Sequence, residues 1–288
     1  MYAKAASLAA PVAPRHDTLL EKHGDKRLDP YYWMKLTDEQ KNAANPDQQT
    51  KDVLAYLEAE NTYRDTVMSH TKDFQEKLYN EIVGRIKQTD MSVPYKYNGY
   101  YYITRFEEGK DYAIKSRKKG SLDAPEEIIV DENERAKDQK YYAASGYNVS
   151  PDNKIIAIGE DPVSRRQYTL RFLDLTTGKY LADEIPNTNG SAVWAADSKT
   201  LFYEIKDAAL RSYKIMRHTL GTPVSADKTV FHEKDETFGT FVYKTKSEKY
   251  IIIGSWATLS QEFRYVDATK PTDEFKVFQP RERELEHS

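Results

Sequence analysis

The 288-residue chain contains no cysteine. That excludes a disulfide scaffold and any thiolate metal site, and it is compatible with a reducing compartment. No stretch approaches the 18 or so consecutive apolar residues that a membrane-spanning helix needs. Neither charge sign dominates: 43 Lys and Arg stand against 46 Asp and Glu, a net charge of -3. A dedicated nucleic-acid binder usually carries a basic excess, so that class is disfavoured. Apolar residues make up only 39%, and the mean hydropathy is -0.80, so much of the surface must be polar. Aromatic residues are abundant, with 22 Tyr alone. Disordered chains are poor in aromatics, and aromatics suit half-buried strands, so a folded, strand-rich protein is expected. The length allows one large or two ordinary domains at about 150 residues each.

Residues 1–14 are Ala-rich with a single lysine, Lys4. Their apolar run is too short and too Ala-based for a signal peptide and reads as a flexible lead. This points to the cytoplasm, or to the periplasm if a leader has been removed. Residues 15–90 read as a polar, helical extension. Over 50–70, Val53, Leu54, Leu57, Asn61, Arg64, Val67 and Met68 form a mostly apolar stripe at helical spacing. Thr50 is its predicted N-cap, with Asp52 in the first turn. A second helix is predicted over 72–87, where Phe74, Leu78, Ile82 and Ile86 recur every four residues and Arg85 and Lys87 mark the end. Residues 30–47 are turn-rich and predicted irregular, or with one short helix.

From Met91 the period changes to short β-branched or aromatic runs bounded by turn residues. They also repeat. SPDNKIIAIGED (150–161), AADSKTLFYEIKD (195–207) and TKSEKYIIIGS (245–255) each set a polar turn before an apolar strand, with Lys154, Lys199 and Lys249 in equivalent places. YNGYYYITR (97–105) is a weaker first copy. Several strands per repeat, at a period in the 40s to 50s, mark a β-propeller blade. A meander is predicted in each: strands at 155–159, 167–174 and 180–185, then at 201–205, 213–219 and 229–233. An irregular sandwich would need no fixed repeat. The fold expected over 91–288 is therefore mainly β, an incomplete propeller of about four blades. Nothing in the final PRERELEHS reads as a closing strand. This hints at a fragment, and open sheet edges are prone to self-association.

Catalytic motifs are missing. None of the 12 Gly lies two positions before a Ser, so no G-x-S-x-G nucleophile elbow exists. No H-x-x-x-H pair, G-x-G-x-x-G or Walker loop occurs, so no metal and no cofactor are expected. His218 and His232 fall on neighbouring predicted strands and read as ordinary pairing or exposure. SPDNK lacks the carboxylate spacing of a calcium loop and reads as a turn. The basic run Lys115, Arg117, Lys118 and Lys119 lies near Glu126 and Glu127 and reads as a solvated hairpin. Glu107 and Glu108 sit in a turn before Gly109.

Several stretches resemble the oligopeptidase B (protease II) branch of the prolyl oligopeptidase family of serine peptidases: HGDKRLDPYYWMK (23–35), GRIKQTDMSVPYKYNGYYYITRFEEGKDYAIKSRK (84–118), EDPVSRRQYTLRFLDLTTG (160–178), WAADSKTLFY (194–203), YKIMRHTLGTP (213–223) and EKDETFGTFVYKTKSEKYIIIGS (233–255). The resemblance covers nearly all of residues 15–288. It implies a seven-bladed propeller capping an α/β-hydrolase domain that carries a Ser-Asp-His triad. The chain ends before that domain, in keeping with the missing elbow, so no catalytic residue can be carried onto it. The parent would cleave short peptides after Arg or Lys, with the propeller restricting access. Arg165 and Arg166, in the SRRQY loop, become candidates for contact with the chain's own hydrolase domain, because an Arg fork holds a carboxylate or carbonyl; an exposed blade loop is the other reading. Lys140 stands where an acidic residue is expected, which puts an ion pair with Arg166 in doubt. Tyr31, Tyr32 and Trp33 either anchor the N-terminal extension on the hydrolase domain or are core. The alternative function is a free-standing propeller-type binding module without activity. No nucleic-acid or membrane partner is expected.

Overall fold

The computed structural model describes residues 9–285; the larger part of the expected flexible lead, residues 1–8, lies outside the described residues. The chain divides into two compact units between Lys87 and Gln88.

The first unit opens with strands, which corrects the reading of 15–90 as helical. β1 (Thr18–Lys22) and β2 (Asp25–Asp29) pair antiparallel, Thr18 opposite Asp29 and Lys22 opposite Asp25. The two-residue turn between them places His23 at φ 53° and Gly24 at φ 81°. Two positive φ angles match the right-handed twist of a hairpin. The hairpin escaped the sequence reading because its residues are mostly polar and exposed, leaving no apolar alternation. A 3-10 turn over Tyr32–Met34 follows, then α1 (Asp38–Asn42), closed by a reciprocal capping box between Thr37 and Gln40. α2 spans Gln48–Met68. Its N-cap is Asp47, whose carboxylate accepts from the Thr50 backbone N–H at 2.7 Å. Thr50, the predicted cap, lies inside the first turn and is buried. α3 (Lys72–Val83) stops before Ile86 and Lys87, at Gly84, a residue of poor helix propensity.

The second unit consists of antiparallel meanders. β3 (Tyr95–Tyr97), β4 (Tyr100–Arg105), β5 (Ile114–Lys119) and β6 (Glu126–Asp131) form the first blade. A seven-stranded sheet follows: β7 (Ala143–Val149), β8 (Ile155–Asp161), β9 (Tyr168–Asp174), β10 (Lys179–Trp194), β11 (Thr200–Lys206), β12 (Ser212–Thr219) and β13 (Lys228–His232). It holds two blades. The first half of β10 pairs with β9 and the second half with β11, with register shifts around Thr188. β14 (Gly239–Lys244), β15 (Tyr250–Ala257), β16 (Ser260–Asp267) and β17 (Lys276–Gln279) form the fourth blade. The strand predicted at 180–185 is the first half of β10, which runs on to Trp194 and so into the next blade.

The repeated turns are equivalent atom by atom. Asn153, Ser198 and Glu248 all take φ near 60°, each just before the matching lysine. The Ser150, Ala195 and Thr245 amides close the turns onto the Ile155, Thr200 and Tyr250 carbonyls. The carbonyls of Lys154, Lys199 and Lys249 accept from Leu175, Leu220 and Ala268.

Strand alternation then builds the core. On β8, Ile156 and Ile158 point to the first blade, packing with Tyr102, Ile129 and Val130, while Ala157 points the other way, onto Leu201 and Tyr203. On β11, Phe202 points to the fourth blade and meets Ile251, Ile253 and Val266. Each blade thus presents alternate residues to its two neighbours, as period-2 strands buried on both faces must.

Candidate functional site

The innermost strands, β3, β7, the second half of β10 and β14, converge on a cavity of about 440 Å³. Its wall is aromatic: Tyr95, Tyr102, Tyr147, Trp194 and Tyr243, with Lys244 at the edge. The Tyr95 and Tyr102 rings stack at 5.4 Å, and the Trp194 indole donates to the Asn148 carbonyl at 2.8 Å. Burial pushes the Tyr95 and Tyr102 phenols up and the Lys244 ammonium down. The cavity thus lies where strands of all four blades meet, and Lys244 is the one charged residue in its aromatic-rich wall.

Beside the cavity, Arg117 on β5 overturns the reading of the basic run as a fully solvated hairpin. It is buried, pairs with Glu127 at 2.9 Å, lies 4.0 Å over the Tyr100 ring and donates to the Asn153 carbonyl of the next blade's turn at 3.1 Å. In sequence it is one cation among four; the tertiary contact alone sets it apart.

A second polar cluster surrounds Glu160, which is buried at the end of β8. Arg135 clasps it with two nitrogens at 2.8–2.9 Å and lies 4.5 Å over the Tyr180 ring. Tyr142 donates to it at 2.8 Å, and Arg171 approaches at 3.4 Å while pairing with Glu184 at 3.1 Å. The partners lie far apart in the chain, so no local pattern announced them.

The loop between β8 and β9 carries Arg165 and Arg166, both exposed. Buried Asp161 accepts from the backbone N–H groups of Val163, Arg165 and Arg166 at 2.7–2.9 Å. Lys206 donates to the Arg166 carbonyl at 2.6 Å. Lys140 is exposed.

His218 is neither exposed nor paired with His232. Its ring is fully buried, with Nδ1 at 2.7 Å from Asp227 and Nε2 at 3.1 Å from Asp183. Tyr203 donates to Asp227 at 2.7 Å, the Gly221 N–H to Asp183 at 2.7 Å, and Phe172 stacks on the imidazole. His232 lies opposite Lys214, edge-on to Tyr213. Among the described residues no group of three or more His, Asp or Glu is placed to hold a metal.

In the first unit, Trp33 donates from its indole to the Pro14 carbonyl at 2.9 Å, meets His16 at 5.2 Å and accepts at its carbonyl from Gln49 at 2.6 Å. It therefore ties the lead to α2. Tyr31 and Tyr32 are exposed.

Residues 11–288 match the family model described as prolyl oligopeptidase, N-terminal beta-propeller domain. The chain belongs to the prolyl oligopeptidase family. Among curated family members it is 39% identical to dipeptidyl aminopeptidase BI of Pseudoxanthomonas mexicana, over 99% of this chain and 40% of that protein. It is 31% identical to protease 2 of Moraxella lacunata, over 94% of this chain and 39% of that protein. Oligopeptidase B from Leishmania major superposes with a TM-score of 0.85 at 27% identity, over 96% of this chain and 40% of that one. The chain thus spans about two-fifths of the length of the relatives it matches. No helix among the described residues is long and apolar enough to cross a membrane.

Proposed function

We propose that this chain is the propeller-bearing N-terminal part of a serine oligopeptidase that cleaves short peptides after Arg or Lys. The observation that carries this reading is the family match across nearly the whole chain, joined to a four-blade arc around an aromatic cavity. The chemistry belongs to a Ser-Asp-His domain following the propeller, where a His base activates the serine. Within this chain no side chain acts on the scissile bond. Its role is to restrict access, and the exposed Arg165 and Arg166 meet carboxylates or carbonyls of the hydrolase domain. The aromatic cavity among the blades is the feature that would limit access to short peptides; the residues 9–87 that precede the blades, with exposed Tyr31 and Tyr32, supply a further surface for that domain.

The test uses an Arg-Arg amide reporter. The 288-residue chain alone is expected to be inactive, and the same residues joined to the family's hydrolase domain to be active. Hydrolysis by the chain alone overturns the assignment. The 39% identity to a protein named dipeptidyl aminopeptidase favours a second reading, release of dipeptides from a free N-terminus. Blocking the reporter's N-terminus separates the two: it abolishes dipeptide release and leaves cleavage after Arg intact.

We also propose that the isolated chain self-associates through the fourth blade. Tyr243, Tyr250, Ile252, Phe263, Tyr265 and Phe278 line an open hollow of about 540 Å³ on its outer face. This face carries the same alternation that packs the other blades together, without a neighbouring blade in this chain.

A further inference from the structure

The β8–β9 loop is held in a way that its exposed sequence does not require. Asp161 ends β8 and is only 2% exposed. Its Oδ1 accepts from Val163 N–H at 2.9 Å; its Oδ2 accepts from Arg165 N–H at 2.9 Å and Arg166 N–H at 2.7 Å. One carboxylate therefore satisfies three consecutive-turn amides, and charge-assisted bonds of this kind are the stronger class. The loop they fold is unfavourable by itself: Ser164 and Arg166 sit at φ 62° and 54°, where side chains are uncommon. From the neighbouring blade, Lys206 donates to the Arg166 carbonyl, with its ammonium 5.8 Å over the Tyr168 ring. Burial, and to a lesser degree the nearby Arg166 cation, hold the Lys206 ammonium below its usual range, against the Glu204 and Asp161 carboxylates. Both side chains are exposed, and Arg165 donates to the adjacent Ser164 carbonyl at 3.1 Å, so the anchorage of these residues lies in their backbone.

We propose that Asp161, assisted by Lys206, is a positioning residue that presents Arg165 and Arg166 as a preorganised pair of cations to a carboxylate-bearing surface. The inference rests on the reading that this loop meets the hydrolase domain, and it adds the device that aims it. A guanidinium fork gains from pre-set orientation, because less freedom is lost when the carboxylate arrives.

The experiment follows amide hydrogen exchange of the whole chain together with binding of a hexaglutamate peptide, hexaglutamine serving as control. In the unaltered chain the Val163, Arg165 and Arg166 amides are expected to exchange slowly although the loop is exposed; exchange at free-peptide rates overturns the proposal without any variant. Asp161→Asn is expected to speed exchange of the Arg165 and Arg166 amides by about tenfold or more, the loss expected for bonds to a charged acceptor. It is also expected to weaken hexaglutamate binding severalfold. R165Q/R166Q is expected to abolish that binding and leave the amides slow. If R165Q/R166Q loosens the amides as much as D161N does, the side chains order the loop and the proposal falls. If D161N frees the amides without changing affinity, presentation is refuted. If the unaltered chain does not prefer hexaglutamate, while D161N still frees the amides, the carboxylate-contact reading fails and the positioning of the loop by Asp161 stands.

Discussion

At the scale of single residues, the interior polar groups are the most exacting. His218 bridges Asp183, on the first half of β10, and Asp227, in the turn before β13. Truncation to Ala strips both carboxylates of a buried partner and opens a void beside Phe172. His218→Ala is therefore expected to cost at least about 2 kcal/mol in denaturant unfolding. Glu204 behaves differently, since burial outweighs its polar partners and the nearby Lys206 cation. Burial pushes its carboxyl up, against hydrogen bonds from Ser212, the Val242 N–H and Asn189. A folded-state value above the unfolded one gives stability that is fully present below the unfolded value and is lost as pH rises through the folded one. Acidification from neutral pH into the ordinary Glu range should thus relieve a strain at this site. Glu204→Gln is expected to raise the melting temperature at pH 7 and to have little effect once the carboxyl is protonated in both states. Thermal melts of the two proteins across pH check this; a uniform shift at all pH values refutes it.

At the scale of elements, the tightest approach joins β7, β8 and β10. A Cβ on Gly159 would run into the backbone of Gly190, and one on Gly146 would do the same. Gly159→Ala is expected to destabilise by about 1–3 kcal/mol through overpacking, whereas Gly178→Ala, in an open hairpin turn, should act only through its backbone angle. Paired melts of the two variants test the contrast. Much of this layer was readable in the sequence. The turns before Lys154, Lys199 and Lys249 repeat because each strand pair must reverse with one left-handed residue, and that need leaves a local polar signature. What stayed hidden had no local signature. The β1–β2 hairpin is polar throughout; Thr50 and Asp47 are both good caps, and only the observed bond separates them. Arg117, Glu160 and His218 were invisible as sites because their partners come from other strands or blades, fixed by packing rather than by spacing; Asp161 bonds within its own loop, and which amides it holds is set by the loop's conformation. Arg165 and Arg166 were singled out through family resemblance; their backbone anchorage came with the structure.

At the scale of the whole chain, the outer face of the fourth blade is the surface on which the proposed self-association rests. Phe278 is 73% exposed, and Tyr243 and Tyr250 are each about two-fifths exposed. Apolar surface of this kind draws a partner. Sedimentation is expected to report concentration-dependent association of the purified chain, reduced by Phe278→Ser; a monomer at all concentrations refutes it. The net charge of -3 opposes this only weakly.

The double membership of β10 bears on how such an arc deforms. Its two halves are hydrogen-bonded into different blades, so the second and third blades are stitched along one continuous ladder. The junctions on either side have no such ladder: the first and fourth blades are separate sheets, joined by side-chain packing and loop contacts. A ring built this way has fault lines of unequal strength. Such an arc is expected to deform by tilting its outer sheets about a stiff central pair, opening at the seams before any strand is unzipped. Slow exchange of the β10 amides, outlasting those of β3 and β14, would be the trace of that hierarchy.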